Sequence, residues 1–218
     1  MLNQGRGLLQ ALKETAACAG QQLVLRIPDF KDCYLRPIPT KSGALNSKDV
    51  LYLTEWRNRN QKAFLTEFTA TTARTERWLT EVVHNDDTRI LFMLVGVDEF
   101  PIGYMGLGHI KWAEGYGEAD AIVRGHPSEK GVMTDGLITL VNWARYQLGI
   151  NHIGVRVLSD NRALSFYNRV GFVETKRVPL VKHESADQVT WVEDELCGAP
   201  ERYLVYHSFI NPWSQTKG

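Results

Sequence analysis

The chain has 218 residues, 44% of them hydrophobic, and 25 Lys and Arg cancel 25 Asp and Glu; it can bury a full core, but it lacks the basic excess with which nucleic-acid binders displace phosphate counterions. No apolar run is long enough to span a membrane, and Arg6, Lys13 and Glu14 interrupt the stretch where a signal peptide would carry its apolar core, so a cytoplasmic protein is expected. Cys18, Cys33 and Cys197 are odd in number and far apart, which fits reduced thiols and no metal site.

Leu8, Leu9, Leu12, Ala16 and Ala19 recur at helical spacing and predict an amphipathic helix ending near Gly20. It belongs to an N-terminal helical extension, residues 1–30, that can pack on the main domain, residues 31–218, or on a second copy in a homodimer. Cys33 to Ile38 reads as a first strand stopped by Pro37 and Pro39, and Ser47 as the N-cap of a helix through Trp56. A second helix is expected from Thr75 to His84.

Arg89 to Val95 is almost continuously apolar, as a strand covered on both faces must be, and the Asp98-Glu99 turn leads to an antiparallel partner from Ile102 to Ile110. From Gly117 to Arg124 the period is two, which puts Glu118, Asp120, Ile122 and Arg124 on one face and Ala119, Ala121 and Val123 on the other. After Gly131 a stripe of Met133, Leu137, Leu140, Val141, Ala144 and Leu148 predicts the strongest helix, closed by Gly149. Ile153, Val155 and Val157 mark a strand, Asp160 or Asn161 caps a short helix ending at Gly171, and a late strand runs from Tyr203 to Ile210. Strand, helix, strand, helix in this order implies a parallel pair.

Between Arg124 and Gly131 a strand gives way to a long helix, where backbone N–H groups converge and the helix dipole adds positive charge, the outline of a phosphate site. About 30 residues on comes Asn161-Arg162-Ala163-Leu164-Ser165-Phe166-Tyr167 with Gly171-Phe172. With that pair of segments the chain, over roughly 34–178, resembles the GNAT superfamily of CoA-dependent N-acyltransferases. The family's loop pattern is Arg/Gln-x-x-Gly-x-Gly/Ala. Gly131 matches its later glycine, Glu129 stands where its first is usual, and Asn161 to Ala163 is one residue shorter than the common spacing.

The resemblance implies an α/β (α+β) fold, a mixed, mostly antiparallel sheet of about seven strands flanked by helices, with the parallel pair at the CoA site. It implies acyl-CoA as co-substrate, acetyl-CoA first and a short hydroxyacyl donor second. The expected CoA contacts are Ile122, Val123 and Arg124 on the strand, Ser128, Glu129, Lys130, Gly131, Val132, Met133 and Thr134 in the cradle, and Asn161 and Phe166 beyond it. Direct attack by a neutral amine needs no covalent enzyme intermediate. Tyr167 is placed to protonate the departing thiolate, Glu118 or Asp120 to take the amine's proton, and His109 on the neighbouring strand to relay it or to meet the acceptor.

Trp56, Arg57 and Trp78 fall in the helical region that overhangs the acceptor in this superfamily, and Trp56-Arg57-Asn58 is similar to bacterial amino-sugar N-acyltransferases. Stacking by Trp56 and diphosphate binding by Arg57 or Arg59 would suit a dTDP- or UDP-linked amino sugar. A protein or peptide N-terminal acetyltransferase and a non-catalytic acyl-CoA sensor are the competing expectations.

Overall fold

The computed structural model describes residues 2–18 and 23–210. One sheet of ten strands runs through it in the order β1-β2-β4-β5-β6-β7-β10-β8-β9-β3. Its strands are β1 (Leu25–Ile27), β2 (Phe30–Pro37), β3 (Thr66–Glu67), β4 (Ile90–Val95), β5 (Pro101–Lys111), β6 (Tyr116–Arg124), β7 (His152–Leu158), β8 (Phe172–Glu184), β9 (Val189–Glu193) and β10 (Arg202–Phe209). Among the described strands only β6 and β7 pair parallel. The count exceeds the expected seven because β1 and β3 are too short to carry a visible period, and the five residues of β9 stand between acidic and polar neighbours.

Helices cover both faces. On one, α1 (Leu2–Thr15), α4 (Val132–Leu148) and α5 (Leu164–Val170) bury Leu9, Leu12, Leu140, Val141 and Val170 against the sheet. On the other, α2 (Ser47–Arg59) and α3 (Thr72–Arg77), which continues as a π-helical turn over Trp78–Val83, bury Val50, Leu53, Trp56, Leu79 and Val83. β4 explains why its run is unbroken: Ile90, Phe92 and Leu94 enter the first cluster, and Leu91, Met93 and Val95 the second.

Helix ends follow local chemistry, with two shifts from expectation. The side chain of Asn46, not Ser47, caps α2 by accepting from the N–H groups of Lys48 and Asp49, because an amide oxygen one residue earlier reaches both donors. α1 ends at Thr15, while Ala19 and Gly20, where its stripe and its stop were expected, lie outside the described residues. Gly149 closes α4 in the left-handed conformation (φ 75°), and its N–H and that of Ile150 donate to Ala144 O. Lys13 ties α1 to the other layer, its buried ammonium donating to the Val83 carbonyl at 2.6 Å. No helix among the described residues is long and apolar enough to cross a membrane.

Candidate active site

The parallel register joins Tyr116–Glu118 of β6 to His152–Gly154 of β7 and goes no further. Beyond Glu118 the two strands part, and the edge of β6 facing β7 is open. A bulge reshapes that edge. Tyr104 pairs with Val123 and Gly106 with Asp120, so Ala121 and Ile122 together oppose Met105. Ala121 takes a left-handed φ of 51°, which a residue with a side chain adopts at a cost.

The bulge overturns the simple alternation. Ile122 packs with Ala119 on the α4 side, while Ala121 and Val123 join the α2 side. Glu118 and Asp120 precede the bulge and keep a common face. A second irregularity, in the register between Gly108 and Lys111, puts exposed His109 at φ 52° beside them.

A cavity of about 390 Å³ occupies the opening. Ile122, Val123 and Arg124 line it from β6, Val155 and Val157 from β7, and Asn161 and Tyr167 from the segment at α5. His109, Glu118 and Asp120 line it as well, so the structure unites these sequence candidates. Neither Asp160 nor Asn161 caps α5, which starts after Ala163 with no side-chain cap, because the turn 160–163 places both residues too early. The side-chain oxygen of Asn161 accepts the Ala163 N–H at 2.9 Å while the residue faces the cavity, whereas Asp160 turns to an ion pair with Arg202 at 2.9 Å. Tyr167 is 7% exposed, and burial, then the charge of Asp120, holds its phenol protonated far above neutral pH. It can give a proton, and Asp120 is near enough to feel it.

Glu118 is engaged otherwise. It is 7% exposed, accepts from Tyr116 Oη at 2.8 Å and pairs with Arg156 Nε at 2.7 Å. A carboxylate so neutralised is a structural counter-ion before it is a base. Arg156 appears in the sequence only as the polar member of an alternating strand, which gives no sign of this partnership.

From the end of β6 the chain enters the expected cradle. The N–H groups of Gly125 and His126 both donate to the Ile102 carbonyl, at 2.8 and 2.9 Å, so those free for an anion start later than Arg124-Gly125. Gly131 has φ 102°, and the helical ladder opens with Asp135 N–H donating to Gly131 O at 3.0 Å. Met133 and Thr134, in the first turn of α4, have no carbonyl one turn below to receive their N–H groups. Acidic groups crowd this region. Burial and the charge of Asp29 raise the Asp135 carboxyl, and burial with Glu129 and Asp32 raises the Cys33 thiol. Attraction for a pyrophosphate would therefore rest on backbone donors more than on Lys130. Phe166 packs half-buried on the main core instead of lining the cavity.

Gly131→Asp should weaken CoA binding roughly tenfold or more, since the left-handed backbone is strained by any side chain and the added charge opposes phosphate. Calorimetric titration with CoA, beside a melting curve to confirm folding, checks this. Unchanged affinity in a folded variant would put the phosphates elsewhere.

On the α2 side a second cavity of about 400 Å³ reaches the same strand. Arg57, Trp78, Arg89 and Tyr104 line it, and Asp120 and Ala121 form its floor, as they also border the first. Tyr104 is 4% exposed, its phenol raised by burial, with Arg57 opposing and Asp120 adding to the effect. β3 pairs with β9, Thr66 with Thr190 and Glu67 with Val189, and Glu67 accepts from Trp191 Nε1 at 2.8 Å and Arg202 Nη1 at 3.0 Å. The cavity wall is thereby fixed to the β8–β9 hairpin.

Trp56, expected to stack on a substrate, is a correction: it is 0% exposed, stacked on Tyr52 at 5.1 Å and Tyr104 at 6.2 Å. A Cβ at Gly125 would lie 2.1 Å from its ring, so glycine is required there for the loop to cross it. Arg59 is likewise occupied, donating to the Gly125 carbonyl at 3.0 Å. Arg57 and Trp78 do face a cavity. Tyr104, Arg89 and the bulge at Ala121 complete the cavity, and residue type alone does not announce them.

Residues 43–173 match the family described as Acetyltransferase (GNAT) domain. A search of curated proteins finds no match for the chain. Among solved structures, a ribosomal-protein α-N-acetyltransferase in complex with coenzyme A superposes with a TM-score of 0.63 at 11% identity, covering 86% of this chain and 98% of that one. A variant of the spermidine N-acetyltransferase of Vibrio cholerae gives 0.59 at 16% identity, over 82% and 93%. A probable GNAT-family acetyltransferase from Chromobacterium violaceum gives 0.61 at 15%, over 86% and 85%. At these identities the likeness is one of fold, and the family match across more than half of the chain carries the rest: with strands that part beside a glycine-opened helix, the chain belongs to the GNAT acetyltransferases, enzymes that move an acyl group from acyl-CoA to an amine.

Proposed function

We propose that this chain transfers an acetyl group from acetyl-CoA to the primary amine of a small molecule, the thioester arriving between β6 and β7 and the amine from the α2 side. One observation carries the reading: Asp120 and Ala121 border both cavities, so donor and acceptor can meet at the β6 bulge. CoA phosphates would rest on residues 128–134 and the pantetheine arm along the open edge of β6.

The amine nitrogen attacks the thioester carbon, and the new C–N bond forms as the C–S bond breaks. Asp120 accepts the proton leaving nitrogen, directly or through water. Tyr167 gives its phenolic proton to the departing thiolate and regains one from solvent. Backbone N–H groups at 122–124 polarise the carbonyl as its oxygen gains charge. Holding both reactants at one strand supplies much of the rate. Glu118 fixes Arg156 and Tyr116 under this floor, and His109 stands at its rim as a relay to solvent.

A nucleotide-linked amino sugar loses its stacking residue with Trp56 inside the core, which leaves a smaller amine as the better acceptor. Thiol release with acetyl-CoA, against small amines, dTDP- and UDP-linked amino sugars and peptides, tests the reading. Turnover with peptides alone would sink it. CoA binding without turnover of any amine would favour a sensor.

A further inference from the structure

Arg57 lines the acceptor-side cavity and has no counter-ion among the described residues. Its guanidinium lies over the rings of Phe64 and Phe68, at 4.4 and 4.0 Å, and Nη2 donates to the Thr66 carbonyl at 2.8 Å. Nη1 is buried and finds no hydrogen-bond partner among the described residues. Arg74 lies over the same Phe68 ring at 3.4 Å and bonds Gln188 at 3.1 Å. The titratable groups nearest Arg57 are Tyr104, a neutral phenol, and Arg74, a second cation, and neither is a carboxylate.

Arg89, the third cation on this wall, is by contrast matched, with Asp120 and Asp86 each at 3.6 Å. A desolvated cation without its anion is costly to keep, and the open volume beside Arg57 is where an anion can enter. A polyamine would meet three guanidiniums and one carboxylate there, and like charges at a binding surface are rejected.

Resting on the acetyltransferase reading above, we infer that the acceptor carries an acidic group beside its amine: the cavity takes a compact amino acid or aminoalkyl phosphate, its acid at Arg57 and Arg74 and its amine toward Asp120. Guanidinium serves carboxylate and phosphate alike. Phe68 and Trp78 favour an acceptor with some apolar body.

Matched pairs separate the possibilities: phenylalanine against phenylalaninamide for a carboxylate, aminoethyl phosphate against 2-aminoethanol for a phosphate, and spermidine as the cationic control. The acid-bearing member of at least one pair should show a kcat/KM higher by about tenfold or more, the worth of charge-assisted hydrogen bonds. Arg57→Gln should shrink that ratio toward one, and exposed Arg74→Gln should shrink it in part, which keeps the test open where the packed Arg57 variant fails to fold. If amides, 2-aminoethanol or spermidine turn over as well or better, the acetyltransferase reading stands and the acidic acceptor falls. If nothing turns over, calorimetric binding of the same pairs to the CoA-loaded enzyme decides: preference for the acids upholds the site, and equal or weaker binding overturns it.

Discussion

Asp120→Asn should lower kcat/KM by about 10²- to 10⁴-fold, the range for a lost general base, while leaving the affinity for CoA and the melting temperature nearly unchanged. The carboxylate belongs to both cavities and has an exposed fraction of 31%, so its loss is felt at the reacting atoms more than in the core. Glu118→Gln should behave in the opposite manner. It leaves Arg156 without its closest anion in a half-buried place and costs about 3 kcal/mol of stability, with a smaller effect on rate. Steady-state kinetics and thermal melts of the two variants, side by side, assign the carboxylates. A rate unaffected by Asp120→Asn would remove it from the chemistry.

Trp56→Ala should destabilise the protein by about 3–5 kcal/mol, since a fully buried indole is replaced by a cavity that the sheet and α2 cannot close. Were Trp56 a stacking platform for substrate, its removal would raise the acceptor KM and spare the melting temperature. Gly125 offers an internal control. Gly125→Ala alone should cost about 1–3 kcal/mol, because the new methyl group enters the Trp56 ring, and nearly nothing once that ring is gone. Additive losses in the double variant would show that the two positions do not meet.

Trp56 also shows how far residues speak for themselves. On a helix, an aromatic at that spacing serves a core or a ligand equally well, and only the packing of Tyr52, Tyr104 and the Gly125 crossing decides. Local signals fared better. The unbroken apolar run of β4, the stripe of α4 and the glycines at its two ends each state a local requirement, and the structure meets them. Ala121 carries no comparable signal, because a left-handed alanine is imposed by the strands around it. Cross-sheet partnerships were equally silent: Arg156 for Glu118, Arg89 for Asp120, and β3 with β9 all join residues distant in sequence. The cradle was legible because it is a stretch of neighbours, and the acceptor wall was not because it is an assembly.

The strand order gives that assembly a timetable. β3 is made early, yet its partner β9 reaches the rest of the sheet only through β8 and then β10, which follows the other described strands in the chain. Arg202, which holds Glu67, opens β10. A nascent chain can therefore complete β4 to β7 and the turn into α4 while the second cavity still lacks its far side. Closing a loop of such span is slow, so the wall of the second cavity closes after the β4 to β7 region has formed.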